Sequence, residues 1–130
     1  MSSDKMHARP RGKIVGLTRQ PNEGRANGGG LRWGEMERDV GISHGASCVL
    51  NERMLISSDA YKAPVCNKCG LIGGIQRDVS KGRSYFCSCD SKQTKDNIKH
   101  VTMPYVAKLL LQELMSMGIK TKLKIEDKDN

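Results

Sequence analysis

The chain has 130 residues, of which 37% are hydrophobic and only 4% aromatic. This length supports one domain or a small domain with an arm, and the lean apolar content indicates that a metal ion or a partner surface adds stability. A formal net charge of +8 favours a polyanionic or acidic partner over a neutral small molecule. With no signal peptide and no long apolar run, we expect neither secretion nor a membrane partner.

The positive charge is concentrated in residues 5–34, which carry seven basic residues against one acid, Glu23. Glycine and proline are frequent there, which predicts extended or looped backbone. If this backbone is extended, His7, Arg9 and Arg11 point to one side and can meet successive phosphates. The alternative is a disordered basic tail. The predicted nucleic-acid contacts are Lys5, His7, Arg9, Arg11, Arg19, Arg25 and Arg32.

Two helical stretches follow this basic arm. Residues 32–39 favour helix, and apolar residues recur at three- and four-residue spacing from Ile42 to Ile56, which predicts an amphipathic helix of about three turns. Ser43 is the expected N-cap of that helix. We expect Cys48 to pack on it as a small buried hydrophobe.

A further helix is predicted near the end of the chain. It begins at Met103 and Pro104, because proline suits the first helical position, and Gly118 is the expected stop. Its apolar face predicts a core or partner-docking helix. The charged residues from Lys120 to Asn130 are expected to fray.

Four of the five cysteines lie between residues 66 and 89, and in a reducing compartment this pattern indicates a metal site before disulfides. Cys66-x-x-Cys69 has the spacing of a zinc knuckle, whereas Cys87-Ser88-Cys89 has a one-residue spacer. The fourth ligand is therefore open between Cys89, Asp90 and His100. Between the two cysteine pairs, glycine turns and short apolar runs predict the strands of a zinc ribbon around structural Zn²⁺.

The carboxylates Glu35, Glu37 and Asp39 alternate with Arg32 and Arg38. Alternating charges on a helix more often form a partner-facing surface than a catalytic site. The predicted interface residues are Trp33, Glu35, Glu37 and Arg38. A metal-dependent nuclease built on the three carboxylates is a minor alternative.

Several motifs occur in an order that resembles a known family. They are KMHAR (5–9), TRQP with EGR (18–25), GGLRWGEMERD (29–39), HGAS (44–47), SDAY (58–61), CNKCGLI (66–72) and MPYVAKLLLQELMSMGI (103–119). Together they resemble the C-terminal end of the second-largest subunit of multisubunit DNA-directed RNA polymerases. The likeness is to the archaeal, eukaryotic and large-DNA-virus branch, and it covers nearly the whole chain.

The resemblance implies an irregular α+β fold in three parts. Residues 1–40 would be a basic arm along the RNA–DNA hybrid with a switch loop, residues 41–61 an anchor helix, and residues 62–130 a clamp zinc module with a C-terminal helix. That helix would pack against the largest subunit, which binds the catalytic Mg²⁺ of the nucleotidyltransferase. This chain would therefore contribute to an enzyme complex without holding its catalytic centre. The location implied is intracellular: the nucleus, or the cytoplasm or virion.

This sequence departs from the family pattern in three places. Trp33 stands where phenylalanine is usual, Ala26-Asn27 replaces a basic–acidic pair, and the Cys87-Ser88-Cys89 spacing is short. Residues 1–3 leave two alternatives open, a separately encoded piece of a split subunit or a fragment of a longer one. A rival interpretation from another class is a free-standing zinc-ribbon adaptor that recruits proteins through its apolar helices.

Overall fold

The computed structural model describes residues 1–78, 82–89 and 97–126. The chain divides into two compact units. Unit 1 comprises Met1–Ala60 with Pro104–Val106, and unit 2 comprises Tyr61–Met103 with Ala107–Asn130. The predicted α+β class is confirmed, with helices, small sheets and a cysteine cluster. No helix among the described residues is long and apolar enough to span a bilayer.

Unit 1 begins with the basic arm, defined as residues 5–34, which has almost no regular secondary structure. A short 3₁₀ turn at Arg25–Asn27 and isolated bridges between Ile14 and Pro21 and between Glu23 and Gly30 organise it. Gly30 N donates to Asn22 O at 2.9 Å. The looped backbone predicted from glycine and proline is therefore present, and it is folded back on itself.

The arm leads into two short helices. Helix α1 spans Glu35–Ser43, helix α2 spans Ser47–Asn51, and a π-helical turn continues to Ile56. The single helix predicted over residues 42–56 is wrong, because Gly45 adopts φ +66° and ends α1 in a left-handed turn. Its amide donates to Ile42 O at 3.0 Å, as in helix C-terminal motifs.

Two finer predictions about these helices are also wrong. Ser43 is the last residue of α1 and donates to Val40 O at 2.8 Å, whereas the N-cap of α2 is Ala46. Cys48 is exposed rather than buried. Part of the apolar face of the short α2 lies in solvent, since Val49 is 46% exposed whereas Leu50 is half-buried.

Unit 2 contains two small sheets. Strand β1 (Ala60–Cys66) pairs with β4 (Ile98–Pro104), and β2 (Gly74–Asp78) pairs antiparallel with β3 (Gly82–Phe86). Glycine at position 74 lets the Phe86 ring lie across the strand, because a Cβ there would come within 2.7 Å of the ring. The β2–β3 pair matches the strands predicted between the cysteine pairs.

The core of unit 2 lies on β1. Ala63, Val65 and Cys66 are 0% exposed, and Pro64 is also fully buried. One metal-ligand candidate, Cys66, thus belongs to the core itself. Among the residues that the structure describes, this burial is small for a self-sufficient domain, which agrees with a structural role for a metal ion.

Helix α3 spans Tyr105–Ser116. Pro104 is the last residue of β4, so it precedes the helix and does not occupy its first position as predicted. The predicted stop is confirmed: Gly118 has φ +84°, and Ile119 N donates to Leu114 O at 3.0 Å.

Candidate metal centre and basic arm

The first cysteine pair is positioned by a tight turn at the end of β1. Cys66 N donates to Leu71 O at 2.9 Å, and Gly70 N donates back to Cys66 O at 2.8 Å. Gly70 has φ +73°, a conformation that favours glycine. The turn places the Cys66 and Cys69 thiols on the same side of the backbone, facing the second pair.

All four thiol sulfurs of the window lie within 4.8 Å of one another. The Sγ–Sγ distances are 3.6 Å for Cys66–Cys89, 3.4 Å for Cys69–Cys87 and 3.3 Å for Cys87–Cys89. A tetrahedral site with Zn–S bonds of about 2.3 Å has S–S edges of about 3.8 Å, whereas a disulfide bond is about 2.05 Å. The spacing therefore fits four thiolates around one ion, and all four cysteines are free of disulfides.

The thiols differ in how readily they ionise. Burial acts to raise the pKa of Cys66, but backbone amides of Cys69 and Lys68 and the neighbouring thiols lower it to about 7. The hydrogen bond with Cys87 is the main cause that raises the pKa of Cys89 to about 12. Burial raises the pKa of Cys87. Crowded thiolates repel one another, so a divalent cation would be needed to hold all four ionised together.

The donor set fits zinc. Four sulfur donors at tetrahedral spacing are typical of structural Zn²⁺ and leave no open position for a reacting water. Among the described residues, the four cysteines are the only group of three or more potential ligands that comes together. The carboxylates Glu35, Glu37 and Asp39 therefore do not assemble a comparable site.

Cys89 is the fourth ligand candidate that the structure brings to the cluster, rather than His100. The His100 ring packs edge-on against Tyr85, with centroids 4.7 Å apart, and does not join the cluster. Asp90 lies outside the described residues. Cys89 brings its sulfur into the group despite the one-residue spacer.

The basic arm is held by its own polar side chains. His7 Nε2 lies 2.6 Å from Gly29 O, and Arg9 donates to Gly28 O at 2.6 Å and to Lys13 O at 2.9 Å. Arg25 donates to the carbonyls of Ser3 and Asp4. These three predicted nucleic-acid contacts thus use some of their N–H donors in hydrogen bonds within residues 1–34. A guanidinium has five N–H donors, so both arginines retain others.

The remaining predicted contacts lie on the surface of unit 1. Lys5, Arg11, Arg19 and Arg32 are all exposed. The Arg19 guanidinium stacks 4.3 Å from the centroid of the Tyr105 ring, and its backbone has φ +55°. Lys5, Arg11 and Arg32 point cations into solvent, where phosphate oxygens have access to them.

The predicted interface residues lie on and beside α1. Trp33 is 38% exposed and lines a surface groove of about 710 Å³ together with Met36, Glu37, Val40, Gly41, His44 and Ala46. Arg38 donates to its neighbour Asp39 at 2.8 Å. Glu35 is exposed in the first turn of α1. Gly41 is buried, and glycine lets α1 approach the Leu50 side chain, since a Cβ at position 41 would lie 2.9 Å from it.

Sequence reasoning missed two residues that organise unit 1. Asp59 is only 6% exposed, and its Oδ2 accepts a hydrogen bond from Val106 N at 3.0 Å. Gly29 is buried, and a Cβ there would overlap the Asn22 carbonyl. No sequence pattern marks these roles. Asp59 is a single acid that follows two serines, and Gly29 is one of three consecutive glycines.

The fold and the cluster define a class: a small α+β protein with a basic arm and a zinc-ribbon-like four-cysteine centre. Comparison with known proteins narrows it. The model of the family described as RNA polymerase Rpb2, domain 7, matches residues 29–126. The chain belongs to this family, the C-terminal region of the second-largest subunit of DNA-directed RNA polymerase.

Individual relatives agree. The chain is 52% identical over 127 residues to DNA-directed RNA polymerase III subunit RPC2 of Saccharomyces cerevisiae, which covers 98% of this chain. It is 52% identical over 120 residues, or 92% of this chain, to DNA-directed RNA polymerase II subunit RPB2 of Schizosaccharomyces pombe. The Arabidopsis thaliana polymerase III subunit 2 is 46% identical over 127 residues, again 98% of the chain. The chain spans about a tenth of the length of each of these relatives.

Proposed function

We propose that this chain acts as part of a DNA-directed RNA polymerase, the nucleotidyltransferase that its relatives are named for. The observation that carries the proposal is the 52% identity to a polymerase III subunit across 98% of the chain. In the assembled enzyme, Mg²⁺ would be bound by another subunit. This chain would contribute nucleic-acid contacts and a metal-stabilised support during transcription.

The basic arm is the surface proposed to contact the RNA–DNA hybrid. It carries exposed cations at Lys5, Arg11 and Arg32, and the internal hydrogen bonds of Arg9 keep the arm folded before it binds. Prior folding lowers the conformational entropy lost on binding. Because exposed lysine and arginine side chains bind phosphates without regard to the base, we expect binding that is independent of nucleotide sequence.

The zinc module, defined as residues 62–130 and including the C-terminal helix α3, is proposed to form part of the polymerase clamp. A closed four-thiolate site supplies rigidity and no catalysis, which suits a module that transmits position. The switch assignment of Trp33, Glu35, Glu37 and Arg38 is part of the same proposal. The exposed groove beside Trp33 favours burial against another subunit, and helix α3 would pack against the largest subunit. A nuclear location would follow for polymerases of the type found in the yeast relatives.

Arg32→Ala tests the hybrid contact. Removing one phosphate-binding cation should weaken binding to an RNA–DNA hybrid duplex and reduce the slope of log K against log salt by about 1. Affinity should be measured by fluorescence anisotropy over a salt series, with zinc content determined in parallel. Arg53→Ala is the matched control, because Arg53 is an exposed arginine of unit 1 that pairs with Glu52 outside the arm.

A flat salt response of the wild-type chain, or equal loss with Arg53→Ala, would contradict the hybrid contact. Zinc content should stay unchanged in both variants. Capture of a largest polymerase subunit by the purified chain would support the assembly. If the purified chain captures no polymerase subunit and instead binds some other protein through the apolar groove, the free-standing adaptor is favoured.

A further inference from the structure

The residues that follow helix α3 belong to unit 2. Residues 120–126, here called the tail strap, form neither helix nor strand, yet Leu123 N donates to Gly70 O at 2.8 Å. Gly70 directly follows the ligand candidate Cys69. The fraying predicted for residues 120–130 is therefore wrong at Leu123, and residues 127–130 lie outside the described part of the chain.

The tail strap has two faces. Thr121, Leu123 and Ile125 are half-buried, whereas the residues that alternate with them, Lys120, Lys122, Lys124 and Glu126, are exposed. A two-residue period is that of extended backbone with one side turned inward. The inward side is therefore set by the sequence TKLKIE, and the hydrogen bond of Leu123 lies at its centre.

The fit between the strap and the metal-binding turn is close. A Cβ at Gly70 would lie 2.8 Å from Leu123 O, 3.2 Å from Leu123 N and 3.3 Å from Lys122 Cβ. Gly70 is buried and has φ +73°. Glycine is thus required at position 70 both by its backbone conformation and by the strap that passes over it.

One peptide segment links the strap to both ligands of the first pair. Gly70 donates its N–H to Cys66 O and accepts the Leu123 N–H on its own carbonyl, both at 2.8 Å. For the Cys66 and Cys69 sulfurs to separate, the turn between them must open. Opening it moves Gly70, and the strap resists that movement.

We propose that the tail strap is a positioning segment for the metal site, which holds the Cys66–Gly70 turn closed and so slows the loss of a bound ion. The strap supplies no ligand. It acts through the backbone of Gly70, and its contribution is to the rate at which the metal leaves. Outer groups that orient ligands commonly change metal affinity by about 10-fold or more.

The test measures zinc release from the full zinc-loaded chain to a chromophoric chelator in excess. Leu123→Pro removes the N–H that Gly70 O accepts, and the release rate should rise about fivefold, as expected for one lost hydrogen bond. Lys124→Ala is the matched control, because Lys124 is an exposed neighbour in the strap whose ammonium group pairs with Glu126. Equal release rates for Leu123→Pro and wild type would overturn the proposal, as would an equal rise with Lys124→Ala.

A second measurement requires no substitution. In the zinc-loaded wild-type chain, the Leu123 amide should exchange its hydrogen at least about tenfold more slowly than an unstructured amide, and chelation of zinc should remove that protection. An unprotected Leu123 amide in the loaded chain would overturn the proposal even if Leu123→Pro failed to fold. A protected amide whose exchange ignores zinc would overturn it as well, because strap and metal would then be uncoupled.

Discussion

The basic arm and the zinc module both fold with little apolar core, but they do so by different means. In the arm, Gly29 is the one buried residue, and charged side chains bind backbone carbonyls. In the module, Ala63, Val65 and Cys66 are 0% exposed and four thiols converge. In the arm, basic side chains such as Arg9 also hold the backbone together, whereas in the module buried residues and the thiols do so.

This difference sets the expected response to damage. A net contribution of about 1 kcal/mol is typical of one hydrogen bond, so the arm should lose stability in small steps. A structural zinc ion contributes about 10–16 kcal/mol of apparent binding free energy, so the module should respond to the loss of a ligand as a whole. Three substitutions examine this contrast, in decreasing order of expected effect.

Cys66→Ser should have the largest effect. Replacing a buried thiolate ligand should lower zinc content from about one per chain to near zero and unfold the β1–β4 and β2–β3 sheets. Zinc content by atomic emission and far-ultraviolet circular dichroism measure the two outcomes. Cys48→Ser is the matched control, since Cys48 is an exposed cysteine outside the cluster. Retention of zinc by Cys66→Ser would contradict the assigned ligand set.

Gly29→Ala should disrupt the arm locally. An added Cβ would overlap the Asn22 carbonyl and lie 2.8 Å from Gly24 O, which costs about 2 kcal/mol unless the backbone moves. Exchange of the Gly30 amide, which donates to Asn22 O, should accelerate by more than about tenfold. Gly16→Ala provides the comparison, because a Cβ at Gly16 meets nothing within 4 Å. Similar exchange rates in both variants would show that the arm is not packed around Gly29.

Asp59→Ala should have the smallest of the three effects. The carboxylate accepts the Val106 N–H at the start of α3, and its loss should cost about 1–2 kcal/mol. Asp59→Asn keeps an acceptor oxygen and should cost less. The midpoint of urea unfolding, followed by the fluorescence of the single tryptophan, Trp33, reports the difference. Equal midpoints for Asp59→Ala and wild type would remove Asp59 from the interactions that hold α3.

Local patterns in the sequence predicted the parts of the fold that local physics controls. Cysteine spacing predicted the four-cysteine cluster, glycine turns predicted β2 and β3, and Gly118 predicted the end of α3. The same reasoning failed at Gly45. The apolar period runs unbroken from Ile42 to Ile56, but a single left-handed glycine outweighs it and splits the helix.

Long-range contacts escaped prediction because no short pattern encodes them. The sequence predicted His7 and Arg9 as phosphate contacts. The fold also brings their side chains to the carbonyls of Gly29 and Gly28, at sequence separations of 22 and 19. The pairing of β1 with β4 joins segments on either side of the cysteine window. The same holds for Leu123, whose amide donates to Gly70 O, so a segment predicted to be a frayed charged tail contacts the turn that carries Cys66 and Cys69.

The hydrogen bonds of Asp59 also close the segment of the chain that carries the four clustered cysteines. Asp59 O accepts from Tyr105 N at 2.9 Å, and Asp59 Oδ2 accepts from Val106 N, 47 residues away in sequence. These two hydrogen bonds therefore hold the two ends of the segment between Asp59 and Tyr105 next to each other. The length of a segment closed in this way can change at a small cost in loop-closure entropy. The two hydrogen bonds therefore allow the length of the cysteine-bearing segment to vary while Asp59, Tyr105 and Val106 stay in contact.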